Sequence, residues 1–213
     1  MSPSFSPRNR DSLGKKVVHE AAVLLYTLQE KEYKQAKERA AANFGTRMLP
    51  TNIEVAEELD KIAEENEGTD RKNRIILMRN EALRIMETLA QFDPKLVGSV
   101  WRGTAHRSSD IDITVFSSDH NQVVERLNEK GYHITRTEFV TASSHGKTVV
   151  SFHVFMILSS GNEAEIVVRD PEQKDVKVRC EIYGDIVRGL SLAELRKVLN
   201  EDPLRTFLPR RKA

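Results

Sequence analysis

The stretch Leu96-Val97-Gly98-Ser99, followed after ten intervening residues by Asp110-Ile111-Asp112-Ile113-Thr114-Val115-Phe116, reads as a short strand, a turn and a second strand. Side chains two apart on a strand share a face, so Asp110 and Asp112 project together while Ile111, Ile113 and Val115 point to the opposite side. Two carboxylates held side by side repel one another unless a cation lies between them, and hard oxygen ligands suit Mg²⁺, which favours carboxylates together with substrate phosphates. A Gly-Ser pair at a strand end lets the backbone approach a phosphate closely, with amide donors and a hydroxyl available to polyphosphate oxygens. Between the two, the segment Trp101-Arg102-Gly103-Thr104-Ala105-His106-Arg107-Ser108-Ser109 offers Arg102 and Arg107 as a lining for an anion. Trp101, beside a core strand, is expected to pack rather than to stack on a base.

Downstream, the two-residue period continues. Val123, Val124 and Leu127 mark an amphipathic helix between Asp119 and Lys130 that Gly131 closes, and strands follow at about 133–140, 149–158 and 163–169. Ser143-Ser144-His145-Gly146 and Ser159-Ser160-Gly161-Asn162 supply the turns between them. In the last of these strands Glu163 and Glu165 share a face, which makes a third carboxylate available if that strand pairs beside the Asp110/Asp112 strand. A final helix over 192–199 precedes Asp202-Pro203 and the basic tail Pro209-Arg210-Arg211-Lys212.

Upstream, the period is helical. Val17, Ala21, Leu24, Leu25 and Leu28 form one stripe, and a second helix over 31–43 ends at Gly45. Pro50-Thr51-Asn52 opens a third, with Ile53, Ala56, Leu59, Ile62 and Ala63 on one face, and 75–89 supplies a fourth that stops at Asp93-Pro94. The expected organisation is a disordered N-terminus over 1–12, a helical region over 13–92, and an α/β or α+β domain over 93–213. The helices around Phe44-Gly45-Thr46 could form a helix-turn-helix, but Glu54, Glu57, Glu58, Asp60, Glu64 and Glu65 would repel a phosphate backbone.

Composition narrows the function classes. Over 213 residues, 39% hydrophobic and 31% charged side chains suffice for a buried core, and 33 Lys plus Arg against 32 Asp plus Glu give no chain-wide basic field. The single Cys180 can form neither an intrachain disulfide nor a cysteine-rich zinc site, which fits a reducing, cytoplasmic setting. The apolar runs 21–26 and 154–158 are far shorter than the roughly 20 residues of a membrane span, and MSPSFSPRNRDS is not a secretory signal. His106, His145 and His153 lack zinc spacing, so no metal role is assigned to them, and His153 is expected to be packed or exposed.

With Gly98-Ser99, the Asp110/Asp112 pair and the acidic-apolar strand Glu165-Ile166-Val167 in hand, the chain resembles the nucleotidyltransferase superfamily typified by DNA polymerase beta, in particular its small prokaryotic and archaeal members. The resemblance covers roughly 95–169. It implies an α+β fold in which an N-terminal helical region precedes a small mixed β-sheet domain flanked by helices. It also implies a Mg²⁺-dependent enzyme, with two metals about 3.5–4 Å apart, that moves a nucleoside monophosphate from an NTP, ATP being expected, to a hydroxyl with release of pyrophosphate. By the same resemblance Asp110, Asp112 and Glu165 are the metal-binding and catalytic residues, Glu165 preferred to Glu163 because the apolar run follows it directly. Gly98, Ser99, Arg102 and Arg107 are then the nucleotide-binding candidates. The acceptor, whether RNA, protein or small molecule, is left open. A catalytically silent binding or antitoxin-like protein on the same fold is the competing expectation.

Overall fold

A computed structural model of the chain describes residues 7–144 and 147–209. The Asp-rich segment and its neighbours form a mixed α/β unit, and the N-terminal helices form another. The basic tail beyond 209 and the His145-Gly146 half of one expected turn lie outside the described residues.

The helical unit takes residues up to Arg71, together with 106–108 and 180–184. Its helices are α1 (Pro7–Tyr26), α2 (Tyr33–Asn43) and the first part of α3 (Asn52–Thr88). Val17, Ala21, Leu24 and Leu25 of α1 pack with Ala36, Ala40 and Ala41 of α2 and with Val55, Leu59 and Ile62 of α3. Alanines on α2 leave no bulk between helices, so close approach takes the place of large interlocking side chains. Leu28, expected to continue the α1 stripe, lies beyond the helix end at a φ of 57° and is 54% exposed. The start of α3 is fixed locally: the Thr51 amide donates to Glu54 Oε2 at 2.7 Å and the Glu54 amide to Thr51 Oγ1 at 3.2 Å, a reciprocal cap.

The third and fourth helices read from the sequence are one 37-residue element interrupted at Gly68, whose φ of 48° and ψ of −119° are not helical. The bend is real in consequence. Arg71, only 4% exposed, reaches back to Asp60 and Glu64, and in an unbroken helix Asp60 would lie about 16 Å along the axis from it.

The second unit holds residues 72–105, 109–179 and 185 onward, so the helical stretch read as 13–92 divides at 71/72. The physical reason lies in Ile75, Met78, Ala82, Ile85, Met86 and Leu89, which share the core of the sheet. That sheet has the order β3-β4-β5-β2-β1-β6, with β1 (Lys95–Val97), β2 (Ile111–Phe116), β3 (His133–Ser144), β4 (Lys147–Ile157), β5 (Glu163–Arg169) and β6 (Leu190–Ser191). β2 and β5 run parallel; the other neighbours are antiparallel. Ile111, Ile113 and Val115 of β2 and Ala164, Ile166 and Val168 of β5 turn to the core, where Val123 and Leu127 of α5 (His120–Glu129) and Leu195 and Val198 of α6 (Leu192–Glu201) join them. Asp112 and Glu165 turn to the opposite face.

Among the elements that escape the sequence reading are the two-residue β6 and the five-residue helix α4 (Gly98–Arg102), which stands in place of a simple turn. A helix this short leaves its last carbonyls without intrahelical partners. Arg79, fully buried, supplies them, donating from Nε to Val100 O at 3.1 Å and from Nη2 to Trp101 O at 2.9 Å. The same guanidinium donates to Pro203 O at 2.7 Å and Arg205 O at 2.9 Å. No helix among the described residues is long and apolar enough to cross a membrane.

Candidate active site

Asp112 lies at the middle of three adjacent strands, level with Val97 of β1 on one side and Glu165 of β5 on the other. The i, i+2 rule places Asp110 on the same face just before β2 begins. As a result the carboxylate oxygens offered by Asp110, Asp112 and Glu165 all lie within 4.8 Å of one another. Of the two glutamates weighed from the sequence, it is Glu165 that joins the aspartates.

The electrostatics follow from that crowding. Burial pushes the Asp112 carboxyl well above the usual carboxylate range, with Asp110 and then Glu165 adding to the shift. Asp110 is raised in the same direction by burial, and Glu165 and Glu163 reinforce it against a backbone hydrogen bond that favours the charged form. Carboxylates that resist ionisation alone become favourable ligands once a divalent cation supplies opposite charge. Three hard oxygen donors converging on one point suit Mg²⁺ or Mn²⁺. The backbone comes close to the carboxylates as well. Gly98 sits at a φ of 69°, and a Cβ there would lie 1.9 Å from Asp112 Oδ2, so only glycine lets α4 start against the carboxylate.

Glu165 is also held from behind. His153 on β4 places Nδ1 2.5 Å from Glu165 Oε1, and Ser151 Oγ lies 2.7 Å from His153 Nε2. The sequence reading gave His153 no role. Its signal is weak because residues of β4 meet β5 only through the sheet order, which the local pattern does not contain.

The remaining expected residues are placed as follows. Ser99 lies in the first turn of α4, with its carbonyl accepting from the Thr104 amide at 3.0 Å and its hydroxyl making no hydrogen bond among the described residues. Arg102 is buried: it pairs with Asp185 at 2.7 Å, donates to Phe207 O at 3.0 Å and lies 4.5 Å over the Trp101 ring. Trp101 itself is 5% exposed and packed, as expected. Arg107 belongs to the helical unit, where its guanidinium lies 4.6 Å over the Tyr26 ring and its amide donates to Glu67. Both guanidinium groups are thus engaged within the protein. Beside Glu165 a 300 Å³ cavity opens between β3, β4 and β5, lined by Asp110, Thr135, Arg136, Phe155 and Glu163, with the Arg136 guanidinium 4.1 Å over the Phe155 ring.

Residues 80–144 match the family model described as a nucleotidyltransferase domain. That stretch, under a third of the chain, is what resembles a nucleotidyltransferase domain. The matched residues include Gly98, Ser99, Asp110 and Asp112 but end before Glu165, whose place beside the aspartates comes from strand pairing. Among solved structures the domain is similar to Cid1 in complex with its short product ApU, at 17% identity and a TM-score of 0.32 over 45% of this chain and 31% of that one. A cytoplasmic RNA terminal U-transferase gives 17% identity and a TM-score of 0.32 over 53% of this chain and 35% of that one. The GLD-2/RNP-8 complex gives 12% identity and a TM-score of 0.35 over 57% of this chain and 44% of that one. This chain therefore spans about a third to under half of the length of those chains. No curated protein matches the chain by sequence.

Proposed function

We propose that this protein is a divalent-metal-dependent nucleotidyltransferase that moves a nucleoside monophosphate from an NTP to a hydroxyl acceptor and releases pyrophosphate. The observation that carries the reading is the convergence of Asp110, Asp112 and Glu165 within 4.8 Å beside a Gly-Ser helix start. Those three carboxylates would hold the cation or pair of cations, which when bound neutralise charge on the triphosphate and favour the alkoxide form of the acceptor.

The chain's own groups divide the remaining work. The Gly98 and Ser99 amides and the free Ser99 hydroxyl are suited to the triphosphate oxygens, and Gly98 keeps that segment close enough to Asp112 for phosphate and carboxylates to share a cation. Glu165 stands on the side of the 300 Å³ cavity, where it would orient an acceptor hydroxyl and take up its proton. The hydroxyl oxygen then forms its bond to the α-phosphorus as the bond to the bridging oxygen of pyrophosphate breaks. Contact of Arg102 or Arg107 with phosphate would require each to exchange its present partners, so Gly98 and Ser99 are the stronger nucleotide contacts.

Calorimetry with ATP, CTP, GTP and UTP in the presence and absence of Mg²⁺, followed by a pyrophosphate-release assay with α-labelled nucleotide and cell extract, tests the reading. The expected result is metal-dependent binding and transfer of label into RNA, protein or a small molecule, abolished by Asp112→Asn. Absence of both binding and transfer with every nucleotide would favour a silent module on the nucleotidyltransferase fold.

A further inference from the structure

The third carboxylate differs from Asp112 in how it is held. Asp112 is locked by burial and by the backbone of Gly98, whereas Glu165 has one more rotatable bond and lies beside an open cavity. A side chain in that position loses rotamer freedom each time it ligates a cation, unless something has already fixed it. The Ser151-His153-Glu165 chain provides the fixation. The three side chains share the face of β4 and β5 that carries Asp112, because Ser151, His153 and Phe155 alternate on β4 and Phe155 is level with Glu165.

Only one proton arrangement satisfies every group with Glu165 ionised and His153 neutral. Ser151 Oγ–H donates to Nε2, Nδ1 carries the ring proton, and Nδ1–H donates to Glu165 Oε1. The side chains of His153 and Glu165 are 15% and 20% exposed, so water competes weakly for this bond. With Oε1 occupied by the imidazole, Glu165 is left to present Oε2 toward Asp110 and Asp112.

We infer that His153 is a positioning residue: together with Ser151 it clamps one oxygen of Glu165 so that the other is pre-aimed at the cation held by Asp110 and Asp112. This rests on the metal-site reading of the preceding section. Partners that orient metal ligands in this manner contribute roughly 10–100-fold to metal affinity or activity.

The test uses the full chain and Mn²⁺ alone, without nucleotide, titrated calorimetrically into wild type, His153→Ala, His153→Asn and Ser151→Ala. Asn retains an N–H donor near the position of Nδ1. The expected order of Mn²⁺ affinity is wild type first, then Ser151→Ala, His153→Asn partly restored, and His153→Ala about 10–100-fold weaker. Equal affinity in wild type and His153→Ala overturns the clamp and leaves the metal site standing, whereas a wild type that binds no Mn²⁺ overturns the metal site itself. A second, metal-free readout guards against a variant that fails to fold. In the proton NMR spectrum of wild type, a slowly exchanging downfield imidazole N–H is expected that moves in Glu165→Gln and disappears in His153→Asn. A wild-type spectrum without that resonance overturns the hydrogen bond on which the clamp depends.

Discussion

At the scale of single residues, the site is a conflict between charges that the backbone forces together. Asp112 cannot turn away from Asp110, which leaves the same face just before β2 begins, nor from Gly98, which is packed against its carboxyl. Replacing it with Asn removes one charge from the cluster. In the metal-free protein at neutral pH, Asp112→Asn is expected to raise stability by on the order of 1 kcal/mol, or about 2–4 °C in thermal midpoint, while abolishing Mn²⁺ binding. The pH dependence has a definite sign. A carboxyl raised on folding favours the fold fully below its unfolded-state pKa and loses that contribution as pH rises through the folded value. Metal-free wild type is therefore expected to lose stability as pH climbs above the ordinary aspartate range, and Asp112→Asn to lose less, as thermal melts at successive pH values will show. Gly98→Ala is expected to fail in the other direction. Its Cβ would fall within 1.9 Å of Asp112 Oδ2, and its φ of 69° costs about 1–2 kcal/mol for a residue with a side chain, so both thermal midpoint and Mn²⁺ affinity should drop.

Among elements, α4 is the one that must be held in place, and it is too short to hold itself. Arg79 on α3 closes its C-terminal carbonyls and ties them to the segment after α6, with four hydrogen bonds to backbone oxygens. Burial lowers the Arg79 guanidinium to about 10, so it stays charged at neutral pH and keeps all its donors. Gly103, at a φ of 77°, passes so close that a Cβ would lie 3.2 Å from Arg79 Nη2. Arg79→Met keeps most of the volume and removes every donor. Urea unfolding is expected to show a loss of roughly 3–5 kcal/mol, since carbonyls satisfied by a charged group would be left buried and bare. Such long-range ties are invisible in sequence: an arginine in the middle of an apolar helical stripe reads as an exception to the pattern, and its partners are more than 20 residues away.

For the whole molecule, the relevant quantity is how much a bound cation adds to stability. A ligand that binds only the folded state stabilises by about 2.7 kcal/mol at one hundred times its dissociation constant. Saturating Mn²⁺ is therefore expected to raise the thermal midpoint of wild type more at pH 8 than at pH 5, because burial raises the Asp110 and Asp112 carboxyls and the higher pH favours their charged forms, and chelation should reverse the gain. Asp112→Asn should show no such response. The strands β2 and β5, the helix α5 and the Asp110/Asp112 pair were legible in the chain because period-two alternation and turn residues are local properties, carried within a few neighbouring positions. Sequence alone thus determined that two carboxylates share a strand face behind a Gly-Ser turn, and offered Glu163 or Glu165 as a third. Tertiary structure alone decided that β5 runs parallel beside β2, bringing Glu165 level with Asp112, and that β4 next to it delivers His153 to the same carboxylate. It likewise decided that 72–92 packs with the sheet. The reason is common to all three: strand order and helix docking depend on which distant apolar faces bury one another, and no short window of sequence contains both partners.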